Sequence, residues 1–99
     1  MAMLEDPRLL QLLTYEYPPD MLDRRGPHRE AHLAKIAEWE GEGKILLAGA
    51  TGDPPSGAIL VFDCPVEEVE GYALSDPYFE AGLVTSHRIE PLTAVSFPD

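Results

Sequence analysis

Two short apolar segments, separated by turn-forming residues, dominate the middle of this 99-residue chain. Residues 44–49 read Lys-Ile-Leu-Leu-Ala-Gly, and residues 57–62 read Gly-Ala-Ile-Leu-Val-Phe. Segments this short with apolar residues on both alternating positions are typical of strands that are covered on both faces. The residues between them are rich in glycine, proline and aspartate, which form turns, so the two strands are predicted to pair as a β-hairpin.

The flanking segments supply one more strand on each side. A first strand is predicted at residues 9–17, and residues 1–7 are expected to lie outside the sheet. Residues 18–26 follow as a loop, because Pro18 and Pro19 cannot donate to a strand ladder. A long final strand is predicted at residues 83–97, interrupted at Pro91, a residue that belongs on an edge strand or at a bulge.

Two helices are predicted between these strands. The first begins near Pro27 and ends near Glu42, before a glycine-rich turn, and the second covers residues 65–74. The first helix has an apolar stripe at helical spacing, made of Leu33, Ile36, Ala37 and Trp39. After the second helix, Asp76 is expected to cap a short extra turn that has Pro77 at its first position and ends at Gly82.

The order strand, helix, strand, strand, helix, strand predicts a single α+β domain. It is the ferredoxin-like βαββαβ arrangement, a four-stranded antiparallel sheet with both helices on one face. Two helices cover only one face, yet the strands are apolar on both. Because an exposed apolar patch of that size is uncommon on a monomer, we expect a homodimer formed through the sheet.

The charge and composition of the chain restrict the classes of partner that it is expected to bind. The formal net charge is −11, from 18 acidic and 7 basic side chains. Such a field repels phosphates, so neither nucleic acid nor an anionic membrane surface is an expected partner. With no long apolar segment and no recognisable leader, the chain is expected in the cytoplasm. The single cysteine, Cys64, lies beside acids that raise a thiol pKa and is expected to precede a helix rather than act as a nucleophile.

Two motifs resemble those of the YciI-like (YCII-related domain) family of small bacterial proteins. One is Arg29-Glu30-Ala31-His32-Leu33 on the first helix, and the other is Ser75-Asp76-Pro77-Tyr78 after the second; the segment at residues 43–49 also matches. The resemblance covers residues 9–95 of the single domain, residues 1–99. It implies a dimeric α+β barrel, similar in architecture to muconolactone isomerase, with a His–Asp pair, His32 and Asp76, as its site. One branch of the family is associated with dehydrochlorination of a chlorinated hydroxyhydroquinone.

The chemistry of these residues fits proton transfer. Histidine gains and loses a proton near neutral pH, and a carboxylate on one ring nitrogen leaves the other free to take a substrate proton. Arg29 precedes His32 by three residues and is a candidate for binding an anionic oxygen, with a surface ion pair as its alternative. Tyr78 and Tyr15 are candidate substrate-binding residues or core residues. The structural alternative for the pair is a histidine bonded to a backbone carbonyl and an aspartate that only caps its own turn.

The remaining motifs give weaker indications of a functional site. His28 and His32 are four residues apart on a helix, but no third ligand follows at a diagnostic spacing and His87 lies far along the chain, so no metal is predicted. The loop at residues 50–57 lacks the Gly-Lys-Ser/Thr of a phosphate-binding loop, and no cofactor is predicted.

The leading hypothesis is a small cofactor-free enzyme that uses His32 and Asp76 for general acid/base chemistry, an isomerisation or elimination, on a small cyclic or aromatic metabolite. A non-catalytic small-molecule-binding protein and a dimerisation domain are the alternatives.

Overall fold

The computed structural model of the protein describes residues 2–97 of the chain, and the side chains of residues 6–96. Its elements in chain order are β1 (Ala2–Glu16), α1 (Met21–Arg24), α2 (Gly26–Gly41), β2 (Ile45–Thr51), β3 (Gly57–Phe62), α3 (Val66–Ser75), α4 (Pro77–Glu80) and β4 (Ser86–Phe97). The four strands form one antiparallel sheet in the order β2-β3-β1-β4. The predicted ferredoxin-like α+β fold, of the dimeric α+β barrel type, is therefore confirmed, as is the β2–β3 hairpin.

Both long helices pack on the same face of the sheet. Alternate residues of β1 and β3 point toward the helices and meet α3, forming a core that contains Leu13, Tyr15, Leu60, Phe62, Val69, Tyr72 and Ala73. From α2, Ile36 and Trp39 pack against this core. The Trp39 ring meets the rings of Phe62 and Tyr72 edge to face, with centroids 6.0 Å and 5.0 Å apart. Trp39 is thus a packing residue, as the sequence indicated.

The predicted apolar stripe of α2 is partly wrong. Leu33 is 45% exposed and Ala37 is also exposed, whereas the only buried residue of the helix is His32. The face turned inward is therefore defined by His32, Ile36 and Trp39, at helical spacing. His32, a polar residue, occupies the centre of this buried face because its hydrogen-bond partner, Asp76, is also buried there.

The first strand is longer than predicted. β1 begins at Ala2, and its first residues pair with the end of β4, after an irregularity between Met3 and Arg8. The apolar pattern of residues 9–17 did not extend this far, and the pairing depends on the complementary length of β4. The prediction for residue 1 lies outside the described residues.

The last strand starts later than predicted and is not interrupted. β4 begins at Ser86, so Leu83 lies in the preceding connection, and its register with β1 runs evenly from Ala94 to Ser86 through Pro91, which faces Gln11. β4 is an edge strand. Proline is tolerated there because its missing N–H need not serve a ladder on the open side.

The predicted loop at residues 18–26 contains a one-turn helix, α1. Met21 is 1% exposed and packs with Tyr78 and Leu83 in a second small core, whereas Leu22 is 49% exposed. Met21 therefore anchors α1 next to the start of α2. None of the helices in residues 2–97 is long and apolar enough to cross a membrane.

Candidate active site

The Asp-Pro sequence after α3 determines where Asp76 lies. A residue before proline is disfavoured in the helical conformation, and Asp76 adopts an extended backbone, with φ −64° and ψ 128°. α3 therefore ends at Ser75, and the Asp76 side chain turns back to cap α4, accepting the backbone N–H of Tyr78 through Oδ1 at 3.0 Å. The predicted cap is thus present, and it leaves the carboxylate fully buried.

His32 and Asp76 are in direct contact. The distance from His32 Nδ1 to Asp76 Oδ1 is 2.8 Å, and both side chains are buried. As a carboxylate, Asp76 only accepts hydrogen bonds, so Nδ1 is the nitrogen that donates. This arrangement assigns the tautomer with the proton on Nδ1 and leaves Nε2 as the nitrogen that can accept a proton. Nε2 makes no hydrogen bond to any described residue. The capping role and the histidine contact are therefore compatible, since one carboxylate serves both.

Tyr15 supports the aspartate from the sheet. Its hydroxyl donates to Asp76 Oδ2 at 2.8 Å, and the residue is 1% exposed. Burial, and then the charge of Asp76, raise the pKa of Tyr15 far above its ordinary value, so the hydroxyl keeps its proton and remains a donor. Tyr15 does not line the adjacent cavity. The structure places Tyr15 in the core behind Asp76, the alternative position that the sequence analysis named for it.

Tyr78 holds the histidine ring from the side. The two rings are stacked, with centroids 3.7 Å apart and planes 9° apart. The Tyr78 hydroxyl is buried and has no hydrogen-bond partner among the described residues. The ring of Tyr78 therefore restricts the orientation of the imidazole.

A cavity of about 420 Å³ opens beside these residues. His32 and Tyr78 belong to its wall, and the floor is the helix-facing side of β2 and β3. The hairpin loop contributes Ala50 and Pro55, so the proline-bearing segment at residues 50–57 shapes one side of the opening. Most of the remaining lining is apolar: Leu33, Ile36, Ala48, Ala58 and Leu60. The cavity therefore has the size and surface that suit a single small ring.

Besides His32 and Tyr78, three polar side chains line the same cavity, and the sequence predicted one of these three. Arg29 lines it as expected, and Arg25 and Tyr17 line it as well. Burial raises the pKa of Tyr17, with further contributions from Asp76 and Tyr78, and the charges of Arg25 and Arg29 oppose this rise. Two patterns pointed to the missed residues: Arg25 lies four positions before Arg29, and Tyr17 follows Tyr15 by two positions.

The remaining candidates lie away from this cavity. His28 is half-buried and His87 is exposed on β4, where its ring meets Phe79 edge to face at 5.3 Å. Neither lines the cavity. Burial, followed by the charges of Glu68 and Asp63, raises the pKa of the Cys64 thiol, and the opposing effect of Lys44 is smaller. The raised pKa disfavours a nucleophilic thiolate.

This geometry is suited to moving one proton. The Nδ1–carboxylate contact and the stacked tyrosine together fix the orientation of the ring, so Nε2 is the ring nitrogen left to exchange a proton in a defined direction.

Comparison with known proteins identifies relatives with the same fold. The model of the YCII-related domain family matches residues 10–93. Protein YciI of Escherichia coli O6:H1 is 29% identical over 98 residues, with 88% of this chain and 99% of that protein covered. An uncharacterized protein of Haemophilus influenzae is 29% identical over 87 residues, with 78% of this chain and 89% of that protein covered.

Several solved structures are similar, and two of them serve as examples. One is 5-chloro-2-hydroxyhydroquinone dehydrochlorinase from Burkholderia phenoliruptrix AC1100 in complex with 2,5-dihydroxybenzoquinone, at TM-score 0.69 and 27% identity, covering 82% of this chain and 90% of that one. The other, an antibiotic biosynthesis monooxygenase, has TM-score 0.55 and 10% identity, covers 89% of this chain and 99% of that one, and shows the fold alone. Because the family match spans most of its length, the chain belongs to the YCII-related domain family.

Proposed function

We propose that this protein is a small enzyme in which His32 acts as the general acid/base, oriented by Asp76, on a small cyclic or aromatic metabolite. The observation that carries the proposal is the 2.8 Å contact between His32 Nδ1 and Asp76 Oδ1 at the wall of the cavity. The carboxylate orients the imidazole through Nδ1, so that Nε2 is the nitrogen available to exchange a proton with a substrate. Tyr15 and Tyr78 are positioning residues, because each acts through Asp76 or His32.

Two reactions need only one such group. In an elimination, Nε2 takes a proton from carbon, the C–H electron pair forms the new double bond, and the leaving group departs with the electron pair of its own bond. In an isomerisation, the imidazolium returns the proton to a different carbon. The structural neighbour with 27% identity is named a dehydrochlorinase, and its complex contains a quinone, which supports an elimination on a ring compound.

The test is a screen for proton exchange that does not require the substrate to be known. Small lactones, quinones and phenols are incubated with the protein in D₂O, and NMR detects both conversion and deuterium incorporation at carbon. We expect at least one compound to exchange with the unaltered protein and with His28→Asn, and not with His32→Asn or Asp76→Asn. His28→Asn is the matched control, because His28 lies on the same helix and outside the cavity. Exchange that persists in His32→Asn contradicts the mechanism, and binding without exchange in any compound favours a non-catalytic binding protein.

We also propose that the protein is a homodimer formed through the sheet face opposite the helices. That face carries Leu12 and Ile59, both half-buried, and Leu47, which is 58% exposed. An apolar depression of about 510 Å³ crosses its β2 end, lined by Leu10, Leu47, Val61 and Leu92 among others. Covering these groups with a second copy removes the apolar surface from water.

Mass measurement by light scattering tests the dimer. Leu47→Glu is expected to yield a monomer, whereas Leu74→Glu is expected to leave the dimer intact. Leu74 is a matched control because it is 56% exposed and lies on α3, on the other side of the sheet. A monomeric unaltered protein, or an equal response to both substitutions, rejects this interface.

A further inference from the structure

The basic side chains of this protein are distributed unevenly between ion pairs and the cavity. The chain has seven, all within the described residues. Four are paired with carboxylates: Arg8 with Asp63, Arg24 with Asp20, Lys44 with Glu68 and Arg88 with Glu90. Lys35 donates to Ser75 Oγ at 2.6 Å. The two that make neither an ion pair nor a side-chain hydrogen bond with a described residue are Arg25 and Arg29, and both line the cavity beside His32.

It is unexpected in so acidic a chain that Arg25 and Arg29 have no acidic partner among the described residues. With 18 acidic side chains available, an arginine on the surface is readily paired, yet no acidic residue is present in the first turn of α2 and none lines the cavity. The start of a helix is also the end where a positive charge is least favourable, because the helix dipole is positive there. An anion bound between the two arginines would be stabilised both by their charges and by the positive end of the helix dipole.

The spacing along α2 brings the arginines to the side of the helix that carries His32. Arg25 immediately precedes α2 with a helical backbone, φ −75° and ψ −20°. Arg25, Arg29 and His32 therefore share one face, at intervals of four and three residues, and their Cα atoms span about 10 Å along the axis. Tyr17 lines the same cavity as both arginines, whose charges oppose the rise in the pKa of Tyr17. Beyond His32 the same helix face continues with Ile36, over the apolar floor. The cavity is therefore polar and positive at one end and apolar at the other.

We propose that the cavity binds a small ring compound that carries an oxyanion group, a carboxylate or a phosphate ester, with this group held by Arg25, Arg29 and the Tyr17 hydroxyl and the ring lying over Ile36, Ala58 and Leu60. The guanidinium fork matches the oxygens of such groups in a bidentate manner. The inference extends the proposed function, because it names the class of compound on which His32 acts. It also orients the ligand, since the ring bonds next to the anionic group then lie beside Nε2.

Binding of matched anionic and neutral probes tests the inference without any turnover. Benzoate is compared with benzamide, and phenyl phosphate with phenol, by NMR titration of the full chain. Charge-assisted hydrogen bonds are strong enough that we expect one anion to bind about tenfold more tightly than its neutral counterpart, or better. Which anion shows the preference distinguishes a carboxylate from a phosphate ester. Equal binding of both members in both pairs overturns the proposal.

Substitutions of single arginines test which side chains produce the preference for the anionic probe. Arg25→Gln and Arg29→Gln are each expected to remove most of the preference for the anion. Arg24→Gln is the matched control, since it causes the same change in net charge one residue away but lies outside the cavity and pairs with Asp20 at 3.4 Å. It should alter the preference by less than about twofold, because exposed charges are screened. An equal effect of Arg24→Gln and Arg25→Gln would show a general field rather than a site.

His32→Asn separates this inference from the proposed reaction. The variant is expected to keep the preference for the anion and to lose proton exchange. If the preference disappears with His32, the anion is bound by the imidazolium and the assignment to the arginines is wrong. If proton exchange is never observed while the preference depends on both arginines, the binding inference stands and the proposed catalysis does not.

Discussion

The ring of Tyr78 lies flat on the imidazole of His32, with centroids 3.7 Å apart, while the backbone N–H of the same tyrosine donates to the carboxylate that holds His32 Nδ1. Asp76 therefore positions both stacked rings. The histidine is restrained in the plane of its ring by a hydrogen bond and out of that plane by an aromatic face. Preorganisation of this kind is what a single acid/base group needs in order to act in one direction.

Substitutions at Tyr78 should separate its ring from its hydroxyl. Tyr78→Phe keeps the stack and removes a buried hydroxyl that has no partner among the described residues, so we expect unchanged proton exchange and unchanged or slightly higher stability. Tyr78→Leu removes the stack and should lower the exchange rate about tenfold or more, because the imidazole is no longer held. Exchange rates by NMR and urea unfolding provide the measurements. A large loss with Tyr78→Phe would show that the hydroxyl acts directly.

Removing the Tyr15 hydroxyl should destabilise the protein. Tyr15→Phe leaves Asp76 Oδ2 buried without its donor, and an unsatisfied buried acceptor costs about 1–3 kcal/mol. Tyr72→Phe is the control, because Tyr72 is equally buried but its hydroxyl has no partner among the described residues. Chemical denaturation of the two variants should give a clear loss for the first and little or none for the second. Equal losses of stability in the two variants would show that the hydrogen bond from Tyr15 to Asp76 makes no particular contribution to stability.

Stability should fall at alkaline pH. Burial is the main cause that raises the pKa of Tyr15 and Tyr72 above the ordinary value of 10.0. The folded protein therefore keeps protons that the unfolded chain releases, so this contribution is fully present below about pH 10 and is lost as the pH rises further. Each such tyrosine adds a slope of up to about 1.4 kcal/mol per pH unit.

Tyr72→Phe provides the check on this pH dependence. Urea unfolding at several pH values above 10 should show a shallower decline in the variant than in the unaltered protein, since one proton fewer is retained on folding. Parallel declines would mean that Tyr72 ionises in the folded state as it does in the unfolded chain.

Two glycines should respond to alanine in opposite ways. A Cβ at Gly57 would lie 2.3 Å from the carbonyl oxygen of Tyr15, so Gly57→Ala must separate β3 from β1 at the base of the site. Gly71 lies within α3 and has open space around the position of a Cβ, so Gly71→Ala should stabilise the helix by about 0.5–1 kcal/mol. Thermal unfolding distinguishes the two. A neutral effect of Gly57→Ala would mean that the strands separate there at little cost.

Much of the fold follows from local patterns. The apolar runs that became β2 and β3, the Asp-Pro break at Asp76 and the glycine stops are interactions between near neighbours in the chain, and the predicted element order therefore agrees with the structure. The errors are at positions where the partner is remote. Residues 2–8 join β1 only because β4 is long enough to pair with them, and Leu33 is exposed because the inward face of α2 is centred on His32.

The candidate site divides in the same way. The residue types of Arg29, His32 and Asp76, together with their motifs, were sufficient to select them from the sequence alone. Only the tertiary structure decided that 44 positions of chain fold back to join His32 to Asp76, that the Tyr15 hydroxyl donates to the same carboxylate, and that Arg25 and Tyr17 line the same cavity. The physical reason is that hydrogen bonds and charge pairing depend on distances of a few ångströms between atoms, whereas spacing along the chain determines distance only within one helix or strand.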